Sequence, residues 1–324
     1  PIYILMGDEH YYIDVISDYI ADHVLDESEK SFNQTILYGK DVTPSNIIEV
    51  ARRYPMMANH QVVIVKEAQV IKNLNELEVY LNAPQKSTVL VICLKTSSGA
   101  KPTKLTQAVK KFINQAKRVG IVFESNQLYD NQIPDWIVSY LAPKGKAISP
   151  TAAEMLREFL GVDLSKIANE LNKLVITLPP DVKQITPEHI ERNIGISKDF
   201  NRFEFVKAIG QRDVVRVNRI VDHFAKNSSA NPIVLSIISI FQYFQRIFKF
   251  HFLKDKSDRN AAVTLGVNPY FLSEYKSAAR VYPPRKCVEI FTLLRQYDMR
   301  SKGVNNENTD QGELLRELVF KIMH

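Results

Sequence analysis

Five short apolar runs rich in β-branched residues, separated by stretches of helical period, most constrain what the first 125 residues can fold into. The runs cover residues 2–6, 35–38, 62–65, 88–92 and 120–123. They are nearly continuous in apolar character rather than alternating, which is the pattern of strands covered on both faces. Helical spacing fills the intervals at 11–25, 44–53, 70–81 and 105–115. Thr43 is set to cap the second of these, with Pro44 at its first helical position. Strand and helix in alternation predict a parallel sheet in a three-layer α/β domain over residues 1–125.

After Ser125 the strand signal stops. A helix over 134–141 carries Trp136, Ile137 and Tyr140, and Ser149-Pro150 opens another with Ala153, Leu156, Phe159 and Leu160 on one face. A third runs over 164–175 until Pro179-Pro180 halts it, and Thr186-Pro187 starts a short fourth. These define a small helical domain, residues 126–200. From 201 to 324 the reading is all helical. Phe203, Val206 and Ile209, then Val214, Val217, Val221 and Phe224, recur at helical spacing. Pro232 opens the longest apolar helix, whose stripe reads Val234, Ile237, Ile238, Phe241, Phe244, Phe248 and Phe252. Such a helix belongs at the centre of a bundle. Breaks fall at Gly266/Pro269 and Pro283-Pro284, and a polar loop over 303–308 precedes a last helix over 313–323.

With 324 residues, 45% hydrophobic and 24% charged, the chain has material for several cores and is not disordered by composition. Its net charge of +6 is uneven. Residues 1–140 hold 14 Lys/Arg against 16 Asp/Glu, 141–200 hold 8 against 8, and 201–324 hold 20 against 12. The basic last part suits either a solvated helical surface or a position near DNA phosphates. Cys93 and Cys287 sit far apart in apolar contexts, so buried free thiols and a reducing compartment are expected. The apolar stretch 232–253 is interrupted by Gln242, Gln245, Arg246 and Lys249, which argues against a membrane span. No charged segment followed by an apolar one marks a leader, and Pro1 to Met6 reads as a strand already under way, implying a short missing N-terminus.

The chemistry that such a fold often carries is absent from the motifs. A phosphate-binding loop after the first strand needs several glycines and a lysine. Here Gly7-Asp8-Glu9-His10-Tyr11 offers one glycine and two acids, which repel triphosphate. The strand over 62–65 ends in Lys66-Glu67, an ordinary solvated pair rather than a metal-holding acid. No cofactor or metal site is expected, since there is no CxxC, HExxH or nucleophile elbow. Asp8, Glu9 and His10 form the only compact polar cluster at a strand end, and capping of the next helix accounts for the two acids.

These residues together resemble the delta-subunit family of the bacterial DNA polymerase III clamp loader. The resemblance rests on Ile2-Tyr3-Ile4-Leu5-Met6-Gly7-Asp8-Glu9, on Tyr54-Pro55-Met56-Met57 leading into Gln61-Val62-Val63-Ile64-Val65, and on Leu81-Asn82-Ala83-Pro84 with the strand over 88–92. It continues through Leu164, Ile167, Asn169, Glu170, Leu171 and Lys173-Leu174, then Ile185-Thr186, Ile194-Gly195-Ile196-Ser197 and Phe203-Glu204. Tyr275, Ala278-Ala279-Arg280, Tyr282, Asp298 and Lys302-Gly303 complete it. Each motif is short, and their order along nearly the whole chain carries the resemblance.

The family implies an AAA+-like α/β domain without an ATP site (1–125), a helical lid domain (126–200) and an all-α collar domain (201–324). It implies a non-catalytic cytoplasmic subunit of the bacterial replisome that binds and opens the sliding clamp (beta). Its other partners would be the ATP-hydrolysing subunits (gamma/tau), the delta-prime subunit and primer-template DNA within the complex, with no membrane and an isolated chain that is monomeric. The family's apolar wedge falls on Met56 and Met57, flanked by Tyr54 and Pro55, where an aromatic or Leu-Phe pair is usual. Adjacent methionines adapt well to an apolar groove. Arg212, Arg216 and Arg219, at roughly helical spacing, are candidates for DNA or subunit contact. The zinc cysteine cluster and Ser-Arg-Cys setting of delta-prime are missing. Two other readings are a degenerate AAA+ scaffold binding nucleic acid through its basic bundle, and an enzyme with an unfamiliar site at Asp8, Glu9 and His10.

Overall fold

In the computed structural model, which describes residues 1–96, 105–197, 199–306 and 308–324, all five expected strands lie in one sheet. They are β1 (Ile2–Gly7), β2 (Gln34–Tyr38), β3 (Gln61–Lys66), β4 (Thr88–Lys95) and β5 (Ile121–Ser125). Every pairing is parallel, in the order β2-β3-β4-β1-β5. The helices of this unit are α1 (His10–His23), α2 (Glu27–Asn33), α3 (Pro44–Ala51), α4 (Glu78–Leu81) and α5 (Gln107–Val119). Leu5, Val62, Ile64, Val89, Val91 and Cys93 face α1, packing on its Ile13 and Ile20. Ile4, Val63, Val65, Leu90 and Ile92 face the other way, onto Ile47 of α3 and Phe112 of α5. Burial on both faces is why the strands read as unbroken apolar runs.

One expected helix is broken and one helix was not expected. The stretch 70–81 is not one helix: 3₁₀ turns at Ala68–Val70 and Leu74–Leu77 precede the single turn of α4. Asn73, at φ 56°, takes the left-handed conformation that interrupts it, a conformation Asn tolerates better than most residues. Helix α2 was not anticipated. Its signal was present, since Asp26 and Glu29 form a reciprocal capping box in which the Glu29 carboxylate accepts from the Asp26 N–H at 3.1 Å.

Packing divides the chain into two units, Pro1–Leu128 and Tyr129–His324. The second holds α6 (Ile133–Leu141), α7 (Pro150–Leu160), α8 (Leu164–Thr177), α9 (Pro187–Ile194), α10 (Arg202–Gly210), α11 (Val214–Lys226), α12 (Ile233–His251), α13 (Asp258–Leu265), α14 (Leu272–Val281), α15 (Pro284–Ser301) and α16 (Gln311–Met323). Strand structure does not stop at Ser125. A two-residue parallel pair, β6 (Ala147–Ile148) with β7 (Gln184–Ile185), buries Ile148 and Ile185. Two residues are too few to show a period, so the sequence carried no trace of it.

Helix α12 is the bundle's centre, in contact with α10, α13, α14, α15 and α16. Its buried face is Ile233, Ser236, Ile237, Ile240, Tyr243, Phe244 and Ile247, whereas Ile238, Phe241 and Phe252 are exposed. The expected stripe was therefore rotated. A helix with apolar residues on most of its circumference does not specify which arc faces inward. Cys93 and Cys287 are both free and buried, and burial pushes each thiol up to about 11. Glu307, in the polar loop over 303–308, lies outside the described residues.

Candidate protein-interaction site

Helix α3 starts where Thr43 Oγ1 accepts the Asn46 N–H at 3.3 Å, and Pro44 supplies a preset φ. It ends four residues before Pro55, which has no N–H to continue the ladder and restricts the residue before it. The carbonyls left open at that end do not go unpaired. Gln61, buried at the start of β3, points its amide Nε2 at the Arg53 carbonyl (2.5 Å) and at Thr88 Oγ1 (2.7 Å). Thr88 Oγ1 in turn donates to the Ala51 carbonyl at 2.7 Å. The tip of α3 is thereby bolted to the first residues of β3 and β4.

Residues 52–60 span from that bolt to β3. At their middle, the buried Asn33 side chain, at the end of α2, grips Met56 twice. Its Oδ1 accepts the Met56 N–H at 2.6 Å, and its Nδ2 donates to the Met56 carbonyl at 2.9 Å. Met57 follows at φ 52°, in the left-handed region that costs a side-chain-bearing residue about 1–2 kcal/mol. Met57 is fully exposed, and Met56 and Tyr54 are exposed as well, with Pro55 half-buried. Phe32, the residue before Asn33, is also exposed. Tyr54 and Pro55 form one wall of a shallow groove whose other wall is Pro84, Gln85, Lys86 and Ser87. Exposed apolar side chains on one loop, held by buried polar anchors, are what a docking site needs and a core does not. Of these anchors, only the ends of strands were visible in the sequence. Asn33, 23 residues away from Met56, gave no local signal.

The other polar candidates are occupied locally. Gly7 sits at φ 134°, and a Cβ there would meet the Ser125 carbonyl oxygen at 1.9 Å, so this glycine serves the close approach of β1 to β5. Glu9 caps α1 by accepting the Tyr11 N–H at 3.0 Å. Asp8 does not cap that helix; its Oδ1 accepts the Gln127 N–H at 3.0 Å. His10 Nε2 lies 2.7 Å from the Thr96 carbonyl. Lys66 is not paired with Glu67 as expected. It reaches Asp18 of α1 at 2.9 Å, and Lys95 at the end of β4 reaches Asp14 at 2.6 Å. Helix α1 thus brings its own carboxylates to the cations at the ends of these strands. Among the described residues, no group of three or more His, Cys, Asp or Glu could hold a metal ion.

In the second unit, the three arginines do not form one row. Arg212 lies in the turn before α11 at φ 54°, and its guanidinium donates to the Met323 carbonyl. Arg216 pairs with the buried Glu204 at 2.5 Å. Burial pushes the Glu204 carboxyl up, with Arg216 opposing. Arg219 is exposed on α11. A cleft of about 570 Å³ in this unit is lined by Arg157, Glu158, Arg202, Lys207, Tyr243 and Tyr275 among others. Its charges largely neutralise one another: Arg157 with Glu154 (2.6 Å), Arg202 with Glu158 (3.2 Å) and Lys207 with Glu274 (2.9 Å). Size alone does not make it the site, since paired charges there leave little to recognise a ligand.

Residues 3–121 match the family model described as DNA polymerase III, delta subunit. Over 314 residues the chain is 24% identical to DNA polymerase III subunit delta of Bacillus subtilis (strain 168), covering 93% of this chain and 88% of that protein. It is 20% identical over 316 residues to a probable DNA polymerase III subunit delta of Aquifex aeolicus (strain VF5), covering 93% and 86%. The solved structure of the Bacillus subtilis DNA clamp loader delta protein superposes with a TM-score of 0.52 at 22% identity, covering 100% of this chain and 95% of that one. That likeness gives the fold: a parallel-sheet α/β domain followed by helical regions.

Proposed function

Starting from the chain as a delta-type subunit of the DNA polymerase III clamp loader, we propose that it binds the sliding clamp through Met56 and Met57 and opens it, with no ATP hydrolysis of its own. The observation that carries the reading is the full exposure of Met57 beside an exposed Met56, on a loop whose backbone is fastened at Met56. Tyr54 and Pro55 flank the pair and extend its contact area. Burying a methionine side chain contributes about 1.5–3 kcal/mol, so two suffice to dominate an interface.

The mechanism is a population shift. The subunit docks on the clamp and holds the open ring more tightly than the closed one, and that difference in affinity is the whole driving force. Energy for the cycle comes from ATP bound by the neighbouring gamma/tau subunits, which expose or cover this surface. The single glycine and two acids at 7–9 support a chain that does not hold the nucleotide itself. We place it in the cytoplasm, at the replisome, with the clamp, gamma/tau, delta-prime and primer-template DNA as partners. Direct DNA contact through the last domain has less support. Arg212 and Arg216 are engaged within the chain by a hydrogen bond and an ion pair, and Arg219 is exposed on α11.

Calorimetric titration of the full chain with the sliding clamp of the same organism tests the proposal, beside the double substitution M56A/M57A. The expected loss is at least ~100-fold, about 2.7 kcal/mol. Tight binding that survives the substitution would keep the role and remove the site. No binding by the folded wild-type chain would remove the role.

A further inference from the structure

We propose that Asn33 is the positioning residue of the clamp-binding loop, a latch on α2 that holds Met56 and Met57 in their displayed conformation before the partner arrives. The inference rests on the reading of Met56 and Met57 as the docking pair. Asn33 is 4% exposed, and its carboxamide is fully committed. Oδ1 accepts the Met56 N–H at 2.6 Å, while Nδ2 donates to the Met56 carbonyl at 2.9 Å and the Glu29 carbonyl at 3.2 Å. Turning the amide over would set Oδ1 against two carbonyl oxygens, so the network admits one orientation.

The geometry is that of a strand partner reduced to one side chain. A carboxamide offers a donor and an acceptor side by side, matching the N–H and C=O of a single residue. Ala lacks both groups, and Asp lacks the donor. The latch acts at Met56, immediately before the left-handed Met57, where the chain would otherwise relax out of an unfavourable φ. A free loop bearing two methionines gains by folding them onto nearby apolar surface. With Met56 held by its backbone, Met57 stands fully exposed instead. Pre-ordering of this kind improves affinity by removing an ordering cost from the binding step, without any contact between Asn33 and the partner.

The test is a cycle of full-length variants titrated with the purified sliding clamp: wild type, N33A, N33D, M56A/M57A, and each Asn33 variant combined with M56A/M57A. Asn33→Asp is isosteric; it keeps the acceptor and puts a carboxylate oxygen against the Met56 carbonyl, so it probes the latch without opening a cavity. Thermal unfolding checks the fold, and hydrogen exchange at the Met56 amide reads the latch directly. We expect N33A and N33D each to weaken binding about tenfold. The same changes should cost less than about twofold where the methionines are already gone. Exchange at Met56 should be faster by about tenfold or more in both.

If M56A/M57A weakens binding but N33A and N33D bind as wild type, the latch is overturned while the docking pair stands. An equal loss with and without the methionines makes Asn33 a general structural residue and overturns it too, as does loss of the fold in both variants. If M56A/M57A leaves binding unchanged, the docking pair falls, and the latch with it.

Discussion

Replacing Gln61 by Leu removes the amide that ties the end of α3 to two strands while keeping the side chain's approximate volume. In the native chain that amide serves the Arg53 carbonyl at 2.5 Å and Thr88 Oγ1 at 2.7 Å. Leu satisfies neither. The Ala51 carbonyl keeps the Thr88 hydroxyl as donor at 2.7 Å, so the loss centres on Arg53. One neutral hydrogen bond is worth about 0.5–1.5 kcal/mol net, and a buried acceptor left open costs about 1–3 kcal/mol. The Arg53 carbonyl is part-buried, so water recovers some of this, and the buried Leu returns some as well. We expect Q61L to destabilise the chain by about 1–2 kcal/mol, a drop of roughly 0.5–1 M in the urea midpoint at unchanged slope. Q61L combined with T88V should cost less than the sum of the two single changes, because both residues belong to one network. Hydrogen exchange should speed up at the amides of residues 52–60 and hardly at all in α11 or α16. A stability change below about 0.3 kcal/mol would refute the claim that Gln61 secures the loop's base. So would additive losses in the double variant.

Two further outcomes check the second unit. Glu317 accepts from Lys321 and Arg300, each at 2.8 Å, and its carboxyl is held down to about 2 from an ordinary 4.5. A depressed folded value contributes stability that is complete above pH 4.5 and is lost as pH falls toward 2. The pair lies near the surface, so E317Q should cost about 1 kcal/mol or less at pH 7 and flatten the acid limb of the stability profile. On α12, I240A should destabilise by about 2–5 kcal/mol and I238A by less than about 1, measured by denaturant unfolding. The reverse order would mean that the other arc of the helix faces the core.

The sequence by itself determined what depends on neighbours along the chain. Continuous β-branched runs and helical spacing gave the parallel sheet and the helical remainder, because burial on both faces of a strand, or on one side of a helix, writes a short period into the residues themselves. The lone glycine and two acids after the first strand were equally legible, since a phosphate cradle needs particular residue types in sequence, whereas the pair at 56–57 stood out only through the family resemblance. Tertiary structure decided what depends on residues brought together from far apart. Asn33 finds Met56 across 23 positions, Lys66 finds Asp18 across 48, and Lys95 finds Asp14 across 81. No local pattern encodes such partners, because a carboxamide or a carboxylate reads the same whether it meets water or a backbone N–H. The arc of α12 that faces inward was left open for a related reason: apolar residues lie on most of its circumference, and only the packing of its neighbours selects Ile240 over Ile238. The same holds for Met57, whose composition suits a core and whose exposure comes from a backbone held in place by a residue on another helix.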